Sequence, residues 1–172
     1  GDAIRGKSAV VIGASNLVGT PAALLLLREG CTVTVCHVDT VDTRAHARTA
    51  DILVVAAGVA GLVRRDWVKP GALVVALGAD GPGKRELGPA VLRGDVKLLV
   101  DSRKQCEAFG EAHYRPEGLP TEELGEHKWA GAPPRATPET VIVCDLTGIA
   151  TQDVAIACAV RDAVVAEDDG AK

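Results

Sequence analysis

The sequence predicts an α/β domain built on a doubly wound, mainly parallel sheet of about six strands, with helices on both faces. Short apolar runs alternate with helical segments along the 172 residues, which is the pattern of repeated strand–helix–strand units. The apolar runs are rich in Val, Ala, Leu and Ile, whereas aromatic residues reach only 2% and Met is absent. Such runs are typical of strands buried on both faces of a parallel sheet. No linker or internal repeat divides the chain, so we expect one domain over residues 1–172.

The first half of the chain predicts three strands and two helices. Ser8–Ile12 is an apolar run that ends at Gly13, and it reads as a buried strand. Residues 17–29 place apolar side chains at helical spacing and stop at Gly30, a favourable residue just after a helix. The elements that follow are a strand over residues 31–36, a short polar helix over 43–49 and a strand over 51–56.

The second half predicts three more strands. Pro70 and Gly71 form a turn before the fourth strand. Residues 102–130 predict one or two helices, broken near Pro116 and Pro120. The remaining predicted elements are strands over residues 72–76, 97–100 and 141–144, a helix over 86–92 and a final helix over 149–165.

A glycine-rich turn connects the first strand to the first helix. Gly13 permits a tight turn, Ser15 is small enough for close backbone approach, and Gly19 lets the helix lie close to the strand. Backbone N–H groups at a helix start favour a pyrophosphate, so the turn predicts a Rossmann-type dinucleotide site. The alternative is a plain strand-to-helix turn without a ligand. The predicted contacts in the turn are Gly13, Ala14, Ser15, Asn16, Leu17, Val18 and Gly19.

The end of the second predicted strand favours NAD over NADP as the cofactor. Asp39 stands close to the position where an acidic side chain accepts hydrogen bonds from the adenosine ribose. A carboxylate there repels a 2′-phosphate, and the nearest arginine is Arg44, several residues further on. Further predicted cofactor contacts at the ends of the second, third and fourth strands are His37, Val38, Ala57, Gly58, Val59 and Gly78.

Residues from about 3 to 78 resemble the NAD(P)-binding domain of methylenetetrahydrofolate dehydrogenase/cyclohydrolase. The segments that carry the resemblance are RGK at 5–7, VIGASNLVG at 11–19, TVTVCH at 32–37 and ADILVVA at 50–56. Members of that family usually have Arg where Ala14 stands and Ser where Val38 stands, and both touch the 2′-phosphate of NADP. Their absence implies NAD, or else a weakened site.

Residues from about 66 to 172 resemble the ornithine cyclodeaminase/mu-crystallin family instead. The matching segments are LGADGPGKREL at 77–87, VDSRKQC at 100–106 and DLTGIATQDV at 145–154. Residues 66–71 fit either family. The two resemblances together imply a chimera, natural or engineered, whose junction lies between Gly58 and Gly78. Both families place a Rossmann sheet in these positions, so the joined parts can share one fold.

The second resemblance implies a role in proton handling for Asp80, because in that family the acidic residue of this loop lies beside the nicotinamide. The alternative is that Asp80 only shapes a Gly/Pro turn. Thr147 and Gly148 precede the final helix, where their amides either face the nicotinamide or cap the helix. His37 lies beside the cofactor groove, where a packing role is favoured over a catalytic one. Asp80 is therefore the one catalytic candidate.

Composition argues against several other classes of partner. The net charge is −4 and no basic run extends beyond Arg64 and Arg65, which disfavours nucleic acid and anionic membranes. No apolar run reaches the length of a membrane span. The five cysteines and four histidines are scattered without metal-ligand spacing, and we expect reduced thiols in a cytoplasmic protein. A homodimer is compatible with the sequence but does not follow from it.

Three functions remain open from the sequence. The first is a nicotinamide dinucleotide-binding domain, chimeric or designed, that lacks a substrate-binding and catalytic lobe. The second is an NAD(P)-dependent oxidoreductase acting on an imine, an amino acid or a folate-type substrate with help from a partner or a dimer. The third is a designed fold that binds no ligand. Fold alone does not decide among them, because function depends on the site.

Overall fold

Seven parallel strands form one sheet in the computed structural model, which describes residues 4–126 and 135–170. The strands are β1 Ser8–Ile12, β2 Thr32–Cys36, β3 Ile52–Val55, β4 Leu73–Ala76, β5 Val96–Val100, β6 Thr121–Glu123 and β7 Val141–Asp145. The helices are α1 Gly19–Arg28, α2 Thr43–Ala47, α3 Arg103–Phe109 and α4 Ala150–Gly170. Short 3₁₀ turns occupy Arg65–Trp67, Glu111–Tyr114 and Leu124–Glu126.

The strand order is β2-β1-β3-β4-β7-β5-β6, and every neighbouring pair is parallel. The chain moves from β1 outwards to β2 and then back past β1 to β3, so the direction of winding reverses at β1. In open α/β sheets, ligands bind outside the carboxyl ends of the strands at such a reversal. The predicted phosphate turn follows β1, and the topology therefore places it at the expected edge.

Helices α1 and α2 pack on opposite faces of the sheet, as the predicted doubly wound architecture requires. Ala23 of α1 belongs to an apolar cluster with Ala9 and Val11 of β1. Ala47 of α2 belongs to the cluster on the other face, with Val10 of β1. Because side chains alternate along a strand, consecutive residues of β1 serve the two layers. The predicted Rossmann-type α/β fold is confirmed.

The predicted helix over residues 86–92 does not form. Leu87 instead makes an isolated parallel bridge with Val63. The amide of Val63 donates to the carbonyl of Glu86 at 3.1 Å, and the amide of Gly88 donates to the carbonyl of Val63 at 2.7 Å. These bonds hold the segment against the loop after β3, and Gly88 and Pro89 both disfavour the interior of a helix.

The predicted helical region over residues 102–130 contains a strand that the sequence analysis missed. Helix α3 and a 3₁₀ turn occupy its first part, and β6 then pairs with β5 at the edge of the sheet. Residues 127–130 lie outside the described residues. The other six strands fall within one or two residues of their predicted positions, and α1 begins at Gly19 rather than at residue 17.

Helix α4 follows β7 and is exposed along residues 150–165. Its exposed apolar side chains are Val154, Ile156, Val160, Val164 and Val165. Among the described residues, no helix combines the length and apolarity that a membrane crossing would need.

Candidate dinucleotide site

The turn after β1 is tight because two glycines lie against backbone atoms. Gly13 has φ +110°, in a region that side chains rarely adopt, and a Cβ there would overlap the carbonyl oxygen of Ala56. A Cβ on Gly19 would overlap the carbonyl oxygen of Gly13. The start of α1 therefore lies directly on the turn, and the turn lies directly on the end of β3.

Backbone amides at the start of α1 divide into two groups. The hydroxyl oxygen of Ser15 accepts from the amides of Val18 at 3.2 Å and Gly19 at 3.4 Å, so Ser15 holds the turn that leads into α1. The carbonyl of Ser15 accepts from the amide of Thr20 at 2.9 Å. The amides of residues 14–17 have no protein acceptor in the part of the chain that the structure describes. Unpaired amides at a helix start attract an anion.

A groove of about 540 Å³ opens between the ends of β1, β2 and β3. Of the predicted contacts, the groove is lined by Gly13, Ala14, Ser15, His37, Val38, Ala57 and Val59. It is also lined by residues that the sequence analysis did not select, namely Ile12, Cys36, Thr43, Ala56, Leu62 and Trp67. Asn16, Leu17, Val18 and Gly19 belong to the turn without lining the groove.

Apolar side chains at the rim of this groove are unusually exposed. Val38 is 96% exposed, Leu17 is 89% exposed and Val59 is 51% exposed. Val38 and Val59 line the groove from the ends of β2 and β3, whereas Leu17 belongs to the phosphate turn and does not line the groove. An apolar rim with unpaired amides at its base suits a ligand that has both a ring and an anionic group.

The end of β2 forms a tight turn that presents Asp39 to solvent. The hydroxyl oxygen of Thr40 accepts from the amide of His37 at 2.9 Å, and the amide of Asp39 donates to Nδ1 of His37 at 3.2 Å. The Asp39 side chain is 85% exposed. The His37 ring therefore shapes the turn by accepting this hydrogen bond. Asp42 is engaged elsewhere, because its carboxylate caps α2 by accepting from the amide of Ala45 at 2.9 Å.

Arg44, the nearest arginine to this turn, is paired with another residue. Its guanidinium lies 2.7 Å from the carboxylate of Asp66, which precedes Trp67 on the 3₁₀ turn. The pair joins α2 to the loop after β3, so the Arg44 guanidinium is engaged by a carboxylate of the protein.

Asp80 lies in the loop after β4, two residues beyond Gly78. Its carboxylate accepts from the Lys84 ammonium at 2.7 Å, and this hydrogen bond is the main cause that lowers the pKa of Asp80. The side chain is 54% exposed, so the group is ionised and open to solvent at neutral pH. Asp80 can therefore accept a proton, as a general base does, although it does not line the groove.

Thr147 and Gly148 are not brought to the groove. The carboxylate of Asp101 accepts from the Thr147 hydroxyl at 3.1 Å and from the Gly148 amide at 2.7 Å. The side-chain amide of Gln105 donates to the carbonyl of Gly148 at 2.6 Å. In this arrangement the Gly148 amide is satisfied by protein, and a contact of this residue with the nicotinamide stays a prediction.

Three buried acids behind the site were missed by the sequence analysis. Glu86, Glu111 and Asp145 are each at most 1% exposed. Burial is the main cause of the raised pKa values of Glu111 and Asp145, and the pKa of Glu111 rises to about 7. No grouping of His, Cys, Asp and Glu suited to a metal ion occurs within residues 4–126 and 135–170.

Comparison with known proteins assigns this site to a family. The family model for the tetrahydrofolate dehydrogenase/cyclohydrolase NAD(P)-binding domain matches residues 1–108, which is more than half of the chain. The chain belongs to this family. The match includes the whole of the phosphate turn, β2 and the turn after it. The protein is accordingly an NAD(P)-binding domain of Rossmann type, and the predicted resemblance of its first part is confirmed.

Curated members of the family are much longer than the part that this chain matches. The bifunctional protein FolD of Gluconacetobacter diazotrophicus is 67% identical over 75 residues, which are 44% of this chain and 24% of the relative. The FolD of Gluconobacter oxydans is 58% identical over 93 residues, 54% of this chain and 30% of the relative. The chain spans about a quarter to a third of these family members.

The solved structures that share the fold over nearly the whole chain are not FolD proteins. The iminosuccinate reductase of Paracoccus denitrificans in complex with NAD⁺ covers 97% of this chain, with 60% of its own length, a TM-score of 0.76 and 24% identity. A probable ornithine cyclodeaminase from Bordetella pertussis covers 89%, with 57% of its own length, a TM-score of 0.76 and 21% identity. At these identities the likeness shows the fold, and the fold agrees with the second resemblance seen in the sequence.

Proposed function

We propose that this chain binds NAD⁺, in preference to NADP⁺, in the groove between β1, β2 and β3. The observation that carries the proposal is the run of four amides at residues 14–17, which have no protein acceptor in the described part of the chain. The pyrophosphate accepts from these amides, and the α1 dipole adds a favourable field. The adenine ring enters the end of the groove beside β2, where Val38 offers apolar surface.

Three features of the site support NAD⁺ over NADP⁺. The exposed carboxylate of Asp39 directly follows the groove residues His37 and Val38, where it would accept hydrogen bonds from the ribose hydroxyls and repel a 2′-phosphate. Arg44, which could otherwise offset that repulsion, pairs with Asp66 at 2.7 Å. Ala14 and Val38 also line the groove, and neither side chain carries a positive charge or a hydroxyl group that could bind a 2′-phosphate.

Calorimetric titration of the purified chain with NAD⁺ and with NADP⁺ tests this proposal. We expect NAD⁺ to bind at least about tenfold more tightly, because a like-charge contact of the 2′-phosphate with Asp39 costs more than 1 kcal/mol. Asp39→Asn should narrow the difference by improving NADP⁺ binding. Thermal unfolding gives a second measurement, since a ligand at 100 times its Kd adds about 2.7 kcal/mol of stability. Absence of NAD⁺ binding, or tighter binding of NADP⁺, would refute the proposal.

A second candidate function, supported by Asp80, is an oxidoreductase that acts on an imine or an amino acid. Asp80 is an ionised carboxylate just beyond the carboxyl end of β4, on the side of the site where the nicotinamide half of a dinucleotide would extend. Three structures with this fold carry the names alanine dehydrogenase, iminosuccinate reductase and Δ1-pyrroline-2-carboxylate reductase. For this candidate, the chain is a chimera of the two families with a junction between Gly58 and Gly78. The family match itself continues past that junction, to residue 108.

Asp80→Asn tests the second candidate without removing the loop. If the chain oxidises NADH in the presence of a cyclic imino acid such as Δ1-pyrroline-2-carboxylate, the variant should lower kcat by about a hundredfold or more, the usual effect of losing a general acid–base group. NAD⁺ affinity should stay within about twofold, because the side chain does not line the groove. Asp162→Asn, on the exposed face of α4, is the matched control and should leave both quantities unchanged. Equal turnover by Asp80→Asn and the unaltered chain would exclude proton handling by Asp80.

A further inference from the structure

A single buried carboxylate ties together the ends of two neighbouring strands at the edge where the site lies. Oε1 of Glu86 accepts from the amide of Gly58 at 2.6 Å, and Oε2 accepts from the amide of Gly78 at 2.8 Å. Gly58 follows β3 and Gly78 follows β4, which are paired in the sheet. Each carboxylate oxygen therefore fixes one loop, and charge-assisted bonds of this kind are among the stronger hydrogen bonds in proteins.

The two glycines are shaped for this contact. A Cβ on Gly78 would overlap the Glu86 carboxylate, so a side chain at that position would displace it. Gly58 has φ +66°, and a Cβ built there would meet no atom within 4 Å. No side chain packs on the Cα of Gly58 where a Cβ would lie, so the bond from its amide to Glu86 is a direct restraint on the backbone at this residue.

Glu86 is itself held by a second buried acid. Oε1 of Glu111, on the 3₁₀ turn after α3, accepts from the amides of Glu86 and of Leu87, the latter at 3.1 Å. That turn is anchored in the same way, because Oδ2 of Asp145 accepts from the amide of Ala112 at 2.9 Å. Three buried carboxylates, which we call the carboxylate relay (Glu86, Glu111 and Asp145), therefore connect β7 to the loops after β3 and β4.

The topology indicates which part of a dinucleotide these loops would meet. The phosphate turn follows β1, and the groove runs from the end of β2 past that turn to the loop after β3, so the ends of β3 and β4 lie on the side of the turn away from β2. A dinucleotide whose adenosine lies by β2 crosses the strand edge at β1 and extends its other half past β3 and β4. Gly58 and Gly78 stand at those two strand ends.

From this arrangement we propose that Glu86 is a positioning residue for the nicotinamide half of the dinucleotide. It holds the backbone at Gly58 and Gly78 in the form that the nicotinamide and its ribose contact, without touching the ligand itself. The inference rests on the proposed NAD⁺ site. It assigns a binding role to an interior acid far in sequence from the phosphate turn.

Glu86→Gln separates this role from a general effect on the fold. A glutamine side chain offers one acceptor and one donor, so one of the two glycine amides loses its partner. Calorimetric titration with NAD⁺ should show an affinity lower by about tenfold, as expected for the loss of one charge-assisted bond. Titration with ADP, which carries only the adenosine and both phosphates, should change by less than about twofold. Glu117→Gln, on an exposed loop, is the matched control and should leave both affinities unchanged.

An unchanged NAD⁺ affinity in Glu86→Gln, or an equal loss for NAD⁺ and ADP, would overturn the inference. Gly78→Ala provides a second variant, since its Cβ displaces the carboxylate while Glu86 keeps its charge. The same selective loss of NAD⁺ affinity is expected from it.

Amide hydrogen exchange of the ligand-free chain tests the relay apart from the proposed function. Glu86→Gln should speed exchange at Gly58 or Gly78 by about tenfold and leave the amides of β1 unchanged. Unchanged exchange at both glycines would refute the role of Glu86 even if NAD⁺ binds. Failure of the unaltered chain to bind NAD⁺, with the exchange difference present, would instead refute the proposed site that the inference depends on.

Discussion

Ser15→Asp is expected to weaken NAD⁺ binding by about a hundredfold or more while leaving the free energy of unfolding unchanged or slightly higher. The hydroxyl oxygen of Ser15 accepts from the amide of Val18, just before α1, at 3.2 Å, and the carboxylate of an aspartate can accept from the same amide. Its negative charge also interacts favourably with the helix dipole, by about 0.3–1 kcal/mol. The same charge lies where the pyrophosphate would bind, and repulsion at about 4 Å costs several kcal/mol. Calorimetry and urea unfolding measure the two quantities.

Ser15→Asn is the matched control for this variant. Asparagine caps helices as well as aspartate does and has nearly the same shape, but it carries no charge. It should therefore keep NAD⁺ affinity within about tenfold of the unaltered chain, the remaining loss coming from its greater size. If Ser15→Asp binds NAD⁺ as tightly as Ser15→Asn, the phosphates do not lie at this helix start. A large loss of stability in both variants would instead show that Ser15 is needed for the fold.

The phosphate turn was predictable because its residues are constrained locally. Gly13 and Gly19 are required by close backbone contacts within the first strand–helix unit, so the constraint appears in the sequence as a fixed spacing. The buried strands were predictable for a similar reason, since Val- and Ile-rich runs bounded by turns have few other uses. The glycine spacing of the turn and the apolar runs of the strands were together enough to predict the fold class and the family resemblance.

Elements that depend on partners distant in sequence were not predictable in the same way. Strand β6 has the sequence Thr-Glu-Glu, with no apolar pattern, and it forms because the backbone of β5 is available at the sheet edge. Lys97 on β5 supports it through an ion pair with Glu122 at 2.9 Å. The wrongly predicted helix at 86–92 has helical spacing, but the bridge between Leu87 and Val63 holds its beginning against the loop after β3, and residues 89–92 form turns.

Part of the site also depends on such long-range contacts. Trp67 reaches the groove from a 3₁₀ turn, so no helical or strand periodicity marks it as a lining residue. Glu86 and Glu111 appear in the sequence as ordinary charged residues of predicted helical segments. Their burial follows only from the amides that the folded chain presents to them, including those of Gly58 and Gly78. An acid that is buried to hold backbone leaves no periodic signal in the sequence.

Stability of the chain is expected to fall as pH rises from about 5 to 7, because of Glu111. Burial, with smaller contributions from the nearby charges of Asp145 and Glu86, raises the pKa of the Glu111 carboxyl from 4.5 to about 7. In this range the unfolded chain has released a proton that the folded chain keeps, so each pH unit lowers the free energy of unfolding by about 1.4 kcal/mol. The total is about 3 kcal/mol at most, and the contribution stops changing above the folded-state pKa.

Asp145 works in the same direction, because its pKa is also raised by burial and its Oδ1 has no hydrogen-bond partner among the described residues. Urea unfolding at pH 5 and at pH 7.5 measures the effect, and at these values the exposed acids with lowered pKa, such as Asp80, stay ionised. Glu111→Gln removes the titrating group while keeping an acceptor for the amides of Glu86 and Leu87, so it should reduce the difference between the two pH values by about half or more. Glu117→Gln, which is exposed, should keep the full difference. A chain that is equally stable at both pH values would show that Glu111 is ionised in the fold, and the relay would then carry its full negative charge at neutral pH.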